Sequence, residues 1–323
     1  MCRKCGTGNN FGIRNKEQIV TDTRYSPSRP RFDAHEYTVY WANVLLYKDP
    51  PKVFFIVEGE SDRKTIEEIG KRIVSTELMN SVEIRVPYKP GKLGVDEEVV
   101  GIARAVGGRA PVQGIIDRDA DILIRVDNSD LIALTDYWDF ESTLFLGSTS
   151  SKRLVILETA EKYRDSLIED AMRELPLVGA MRRLSQDRDL NLKFRDPSSE
   201  SGASIIGNYL ISETSDKTVK FSINQLGLAS QLVRGNYRTE AEELLKSARS
   251  LLAGSDWRTL IHGKDLIGFL YAAWVKLAHE GLAARPPSSD DYMGRFRKCF
   301  AASIAEDELN ELEIGSLILD LLK

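Results

Sequence analysis

Three acidic residues stand where a sheet would deliver chemistry. Glu58 directly follows the apolar run Val53-Phe54-Phe55-Ile56-Val57, and Asp117 directly follows Ile115-Ile116, with Asp119 two residues further on. Hard carboxylate oxygens at one sheet edge suit Mg²⁺ or Mn²⁺, which take few protein ligands and keep waters that a phosphate can displace. Such an ion polarises a phosphoryl oxygen, orients a water or hydroxyl and neutralises charge on the leaving oxygen. Without a cation, carboxylates this close would repel one another and some would have to be protonated. Each acid also has a plainer use. A Glu or Asp at a strand end is commonly a helix cap, a turn former or a solvated charge. Ser61 and Asp62 suit a cap on the following helix, and Asp121 suits a turn. Glu58 alone favours the plainer use; the two strand-end motifs together favour the metal site.

The elements that must position these acids are legible around them. Val53–Val57 reads as a buried strand, followed by a glycine turn at Gly59 and a helix from Lys64 to Val74, within an amphipathic segment reaching Leu78. Val82 to Tyr88 reads as a second strand, and Lys89-Pro90-Gly91-Lys92 as a turn. Asp96 to Val106 fits a helix ending at Gly107-Gly108. Pro111 to Ile116 is a strand that delivers the Asp-x-Asp pair, and Leu131 to Leu134 is another short strand. Strands alternating with helices between residues 51 and 146 predict a compact α/β domain with a mainly parallel sheet. In a parallel sheet the ends carrying Glu58, Asp117 and Asp119 share one edge, where open α/β sheets hold their sites.

Beyond Ser150 the pattern turns mainly helical. Lys152 to Leu175, Glu240 to Leu252, Asp265 to His279 and Ala302 to Leu322 read as helices, with Pro286-Pro287-Ser288-Ser289 a loop. Leu190 to Phe194 and Val219 to Ile223 are strand-like, forming a small insert. The expected organisation is therefore an arm over residues 1–50, a catalytic α/β domain over 51–150 and a mainly helical C-terminal domain over 151–323. Residues 1 to about 34, rich in Gly, Asn, Arg and Pro, read as a flexible tail. Tyr37, Tyr40, Trp41, Val44, Leu45 and Leu46 then suit a docking helix or strand. Cys2 and Cys5 form half of a zinc site, but no second such pair follows and His35 stands alone.

Composition narrows the classes. Hydrophobic residues make up 42% and charged residues 29%, which is soluble globular material with room for a core. The apolar runs are too short for a membrane span, and the amino terminus, with Arg3 and Lys4, does not read as a signal peptide. Three cysteines make no disulfide framework, so a cytoplasmic, reducing setting is expected. A net charge of −5 excludes a coat of positive charge for non-specific nucleic-acid binding, though not a local basic patch.

Val57-Glu58-Gly59-Glu60-Ser61-Asp62, followed by Ile115-Ile116-Asp117-Arg118-Asp119, resembles the Toprim fold of topoisomerases, primases, recombination proteins and OLD-type nucleases. That family carries a glutamate after its first strand and Asp-x-Asp after a later one; the likeness covers roughly residues 51 to 146. Asp136-Tyr137-Trp138-Asp139-Phe140-Glu141-Ser142 resembles a segment of a narrower bacterial family of Toprim nucleases. Segments like Ala180-Met181-Arg182-Arg183-Leu184, Leu190 to Phe194 and His262-Gly263-Lys264-Asp265-Leu266 follow there in the same order. Members are similar to the nuclease effector of the PARIS anti-phage system, which works beside an ABC-type ATPase that holds it inactive until infection. The long arm before the first strand is a departure that suits a partner-binding or regulatory addition.

The resemblance implies a Mg²⁺- or Mn²⁺-dependent nuclease, a toxic effector that cuts RNA such as tRNA, or DNA, and acts as a homodimer without a membrane. Glu58 would be a metal ligand or the general acid/base, Asp117 and Asp119 would hold the ion, and Glu141 would be a further ligand or supporting acid. Lys264, Arg118 or Arg183 would contact a phosphate. Lys264 serves equally as an ion-pair partner of Asp265 or a solvated charge, and His262 reads as a helix-start residue rather than a catalyst. Two rival readings remain: a topoisomerase- or primase-like enzyme, disfavoured by the lack of a winged-helix cassette, tyrosine nucleophile context or zinc ribbon, and a non-catalytic partner-binding Toprim protein.

Overall fold

The computed structural model describes residues 40, 42–47, 53–87, 95–107, 111–118, 131–149, 151–152, 161–195, 204–215, 218–233 and 238–322. Asp119, Asp121, Cys2, Cys5, His35, Tyr37, Trp41, the Lys89–Lys92 turn and Gly108 lie outside them. In chain order the first elements are β1 (Val53–Val57), α1 (Glu60–Ile73), α2 (Thr76–Asn80), β2 (Val82–Arg85), α3 (Val95–Val106), β3 (Val112–Ile116), β4 (Ile132–Leu134) and α4 (Phe140–Gly147). The four strands form one parallel sheet in the order β2-β1-β3-β4.

β1 is central, and its residues alternate between two cores. Phe54 and Ile56 face a cluster with Val99, Ile102, Ala103 and Val106 of α3, to which Ala42 and Leu45 from the helical turn at 42–46 also contribute. Phe55 and Val57 face the opposite cluster with Ile66 and Ile69 of α1. The helix spacing 99, 102, 103, 106 is one face of a 3.6-residue period, which is why α3 covers the sheet with a single stripe. A strand buried on both faces reads as a continuous apolar run, as β1 does.

The helical part comprises α5 (Arg164–Asp187), β5 (Leu210–Ser215), β6 (Thr218–Ile223), α6 (Gln225–Leu232), α7 (Arg238–Ala253), α8 (Gly263–His279), α9 (Ser289–Ser303), α10 (Glu306–Asn310) and α11 (Glu313–Leu322). The second core cluster runs without a break from Phe55 and Val57 of β1 to Leu319 and Leu322 of α11, so sheet and helices share one interior. Polar ties reinforce this. Arg72 of α1 donates to the carbonyls of Ala302 and Ile304, and Asp136 accepts from the backbone N–H groups of Glu313 (2.7 Å) and Ile314 (3.1 Å) at the start of α11.

Several sequence expectations are corrected. The helix expected over Lys152 to Leu175 is found as α5, which passes through Pro176 and ends at Asp187. Proline removes one ladder bond at a local cost of about 3 kcal/mol. Here burial of Leu175, Leu177, Val178, Ala180, Met181 and Leu184 on both sides of it offsets that cost. The helix expected from Ala302 to Leu322 is three pieces, the end of α9 followed by α10 and α11, because the chain turns at Ile304 and again between Asn310 and Glu313. Leu190 to Phe194 is not a strand. Asp189 and Asn191 have φ of 52° and 51°, a left-handed conformation incompatible with an extended ladder and best tolerated by Asp and Asn. β6 instead pairs with β5, and its outer side is completed by α5: Phe221 and Ile223 donate their N–H groups to Asp170 (2.7 Å) and Glu174 (3.1 Å).

Candidate active site at the sheet edge

Because β1 and β3 are parallel neighbours, with Val57 opposite Ile115, their carboxyl ends emerge side by side. Glu58 leaves β1 and Asp117 leaves β3 one residue beyond its last strand position. The backbone N–H of Asp117 donates to Glu58 Oε1 at 2.8 Å, which fixes the glutamate at the end of the neighbouring strand. Both residues are half-buried, so their side chains meet solvent at this edge. The sequence-based convergence of Glu58 and Asp117 is thus observed, while Asp119 lies outside the described residues. Among the described residues no group of three His, Cys, Asp or Glu side chains is arranged to hold a metal ion.

Beside this pair lies a second set of acids. Asp62, in the first turn of α1, accepts from the Gly59 N–H at 2.9 Å, tying down the turn that follows Glu58. Asp139 is the N-cap of α4: its Oδ1 accepts from Ser142 N–H at 2.8 Å, and its Oδ2 accepts from Gly263 N–H, also at 2.8 Å, at the start of α8. One carboxylate therefore caps one helix and receives the first N–H of another. Glu141, in the first turn of α4, is buried, and its Oε1 accepts from Arg297 Nε of α9 at 2.6 Å. Burial, and next the nearby Glu141 charge, push the carboxyls of Asp62 and Asp139 up to about 7. Hydrogen bonds from Gly59 to Asp62, and from Ser142 and Gly263 to Asp139, oppose the rise without cancelling it.

The remaining sequence candidates are placed as follows. Lys264 is exposed at the start of α8, and its N–H donates to His262 Nδ1 at 3.1 Å. His262 is the N-cap of that helix, packs edge-on against Trp138, and is pushed down to about 3 by burial and then by the Arg182 charge, so it is neutral at neutral pH. That agrees with its reading as a helix-start residue. Asp265 does not pair with Lys264. It is buried against Arg182, whose Nε and Nη2 reach Asp265 Oδ2 and Oδ1 at 2.5 and 2.6 Å, and Ser204 Oγ donates to Oδ1 at 2.6 Å. Arg118 folds back onto β4, its Nε donating to the Thr135 carbonyl at 2.9 Å, and Arg183 pairs with Asp187 along α5.

Sequence reasoning set Asp62 aside as a cap and did not single out Asp139, Gly263 or Arg297. The capping role of Asp62 is local and was readable. Glu141 was readable from the Asp136–Ser142 motif, but the Arg297 that faces it comes from a segment 156 residues away, and no local signal marks it. A Cβ at Gly263 would lie 2.5 Å from Glu141 Cβ and 2.6 Å from Asp139 Oδ1, so the glycine is what lets α8 start against this edge. The chain matches no protein-family model and no curated protein.

Proposed function

We propose that the chain is a metal-dependent Toprim-type endonuclease. The observation that carries this reading is the Glu58–Asp117 pair on the ends of adjacent parallel strands, with the glutamate fixed by the Asp117 N–H. The donor chemistry fits Mg²⁺ or Mn²⁺: hard carboxylate oxygens on two half-buried residues at a solvent-facing edge. Glu58 and Asp117, joined by Asp119 from the sequence motif, would hold the ion. When bound, it supplies polarisation of a phosphoryl oxygen and neutralises charge on the leaving group. The chain's own residues do the rest. The Asp117 N–H and the Asp62-pinned Gly59 turn orient Glu58, as ligand or as general acid/base, before substrate arrives. Arg297 offsets part of the buried negative charge at Glu141. Glu141 in this arrangement is a supporting acid that is already paired, and Lys264, exposed at the start of α8, remains open to a phosphate.

The biological setting rests on sequence resemblance alone: a toxic anti-phage effector cutting tRNA or DNA, active as a homodimer and held inactive by an ABC-type ATPase. Among the described residues no helix is long and apolar enough to cross a membrane. The test is incubation of the purified chain with supercoiled plasmid and with total tRNA, with Mg²⁺, with Mn²⁺ and with chelator. Divalent-dependent cleavage of one substrate is expected, falling at least about 10³-fold in Glu58→Gln and Asp117→Asn. Cleavage that persists in Glu58→Gln, or none with either metal, overturns the reading.

A further inference from the structure

A groove of about 530 Å³ runs between α1 and α9 and opens beside the acidic edge. One end is marked by Ser61, three residues after Glu58, and by Arg297, which also pairs with Glu141. Its walls carry four cations, Lys64 and Lys71 from α1 and Arg297 and Lys298 from α9. Three carboxylates also line it, Glu60, Glu67 and Glu68, but Arg63 engages Glu60 and Glu67 from outside the groove. Lys64 and Lys71 make only loose exposed pairs, each at 3.8 Å, with Glu60 and Glu68. Pairs of that kind are worth at most about 1 kcal/mol and exchange readily for a stronger anion. The two lysines are two helical turns apart on one face, about 10.5 Å, the length of roughly three stacked nucleotides.

A second observation concerns the opposite wall. Gly294 sits inside α9, exposed, where glycine costs a helix about 1 kcal/mol relative to alanine. Its φ is not in the left-handed region, and a Cβ added there would meet nothing within 4 Å. Neither backbone conformation nor packing calls for glycine at this position. What it does provide is an unobstructed wall facing Lys64 and Lys71.

We infer that the α1–α9 groove binds the phosphodiester backbone of a single nucleic-acid strand flanking the bond presented to Glu58 and Asp117, with Lys64, Lys71, Arg297 and Lys298 as its phosphate contacts. This deepens the proposed nuclease reading and rests on it for the position of the cleaved bond. A groove of this size is of the class that takes small ligands, so it accepts one strand and not a duplex. Its four cations against three carboxylates leave a local excess of positive charge in a chain whose net charge is −5.

The experiment measures binding of fluorescein-labelled strands of about 12 nucleotides, within the range of single-strand sites, by anisotropy. The full chain carries Glu58→Gln, and metal is absent so that nothing is cut. RNA, DNA of the same sequence and inorganic polyphosphate form three arms. In Lys64→Glu/Lys298→Glu the affinity is expected to fall at least tenfold. The slope of log affinity against log salt is expected to flatten by about 1.4, two phosphate contacts at about 0.7 each. Gly294→Trp fills the groove without reversing charge and is expected to weaken binding at least tenfold with a melting temperature no lower than the parent's. Lys246→Glu/Arg249→Glu on α7, away from both walls, is expected to bind as the parent does. Groove-dependent binding of RNA, DNA or both supports the proposal and identifies the strand. No binding by the parent, equal losses in the α7 variant, unchanged affinity in both groove variants, or binding of polyphosphate alone overturns it. The two readings fail separately. A groove that binds in a chain that never cleaves leaves the groove standing without the nuclease, and Glu58-dependent cleavage with no groove effect leaves the nuclease without the groove.

Discussion

Replacing Asp265 by alanine is the sharpest test of how the helical part is held together. The side chain is 2% exposed and accepts three hydrogen bonds, two from Arg182 and one from Ser204, while the Arg182 guanidinium also lies 4.3 Å from the Phe194 ring centroid. Removing the carboxylate leaves a largely buried guanidinium without its counter-charge, a change that typically costs about 3–5 kcal/mol. With a urea slope of about 3 kcal/mol/M, the unfolding midpoint should drop by about 1 M or more. Arg182→Met/Asp265→Leu removes both charges and should recover most of that loss, since a buried pair replaced by apolar groups is often near neutral. Burial alone would raise the Asp265 carboxyl, but the charge and hydrogen bonds of Arg182 outweigh it and hold it below its ordinary value. A depressed carboxyl stabilises the fold above its unfolded value near 3.9, and the contribution is lost as pH falls through the lower folded value. The gap between parent and Asp265→Ala should therefore be full at pH 7 and narrow below about pH 4. A midpoint shift under about 0.3 M, or a double variant whose loss equals the sum of the two single losses, would refute the argument.

Two further outcomes are expected. Gly263→Ala places a methyl against Glu141 and Asp139 and displaces the N–H that Asp139 accepts. It should destabilise the chain by about 2–4 kcal/mol, read as a melting temperature lower by about 3–6 °C; an unchanged melting curve would show that the contact is not tight. Asp62 binds its proton more firmly folded than unfolded, about 7 against 3.8, so stability should fall as pH rises from about 4 and level off above about 7. Asp62→Asn should flatten the urea-midpoint profile between those values, and a profile as steep as the parent's would discount the burial argument.

The sequence-readable parts of the site are those carried by short, self-contained patterns. Val53–Val57 is a short apolar run and Val112–Ile116 ends in one, both bounded by turn residues as buried strands are, and strands alternating with helices favour a parallel sheet. Parallel strands put Glu58 and Asp117 on the same edge, and they are found there, in contact. Periodicity placed α3, α7 and α8 within a few residues of their ends. It failed where the local signal and the tertiary environment disagree: at Pro176, which reads as a helix end but is carried through by burial, and at Leu190 to Phe194, whose apolar alternation belongs to a left-handed turn.

The sequence by itself determined the chemistry on offer, carboxylates at the ends of buried parallel strands, because strand period and sheet direction are local properties. Only the tertiary structure decided the company those acids keep. Arg297 reaches Glu141 across 156 residues of chain, and Gly263 reaches Asp139 across 124. Asp62 changes from an ordinary cap to a carboxyl titrating near neutrality because burial and Glu141 act on it together. Such contacts are set by how helices pack on a shared core, and desolvation has no value until that packing exists.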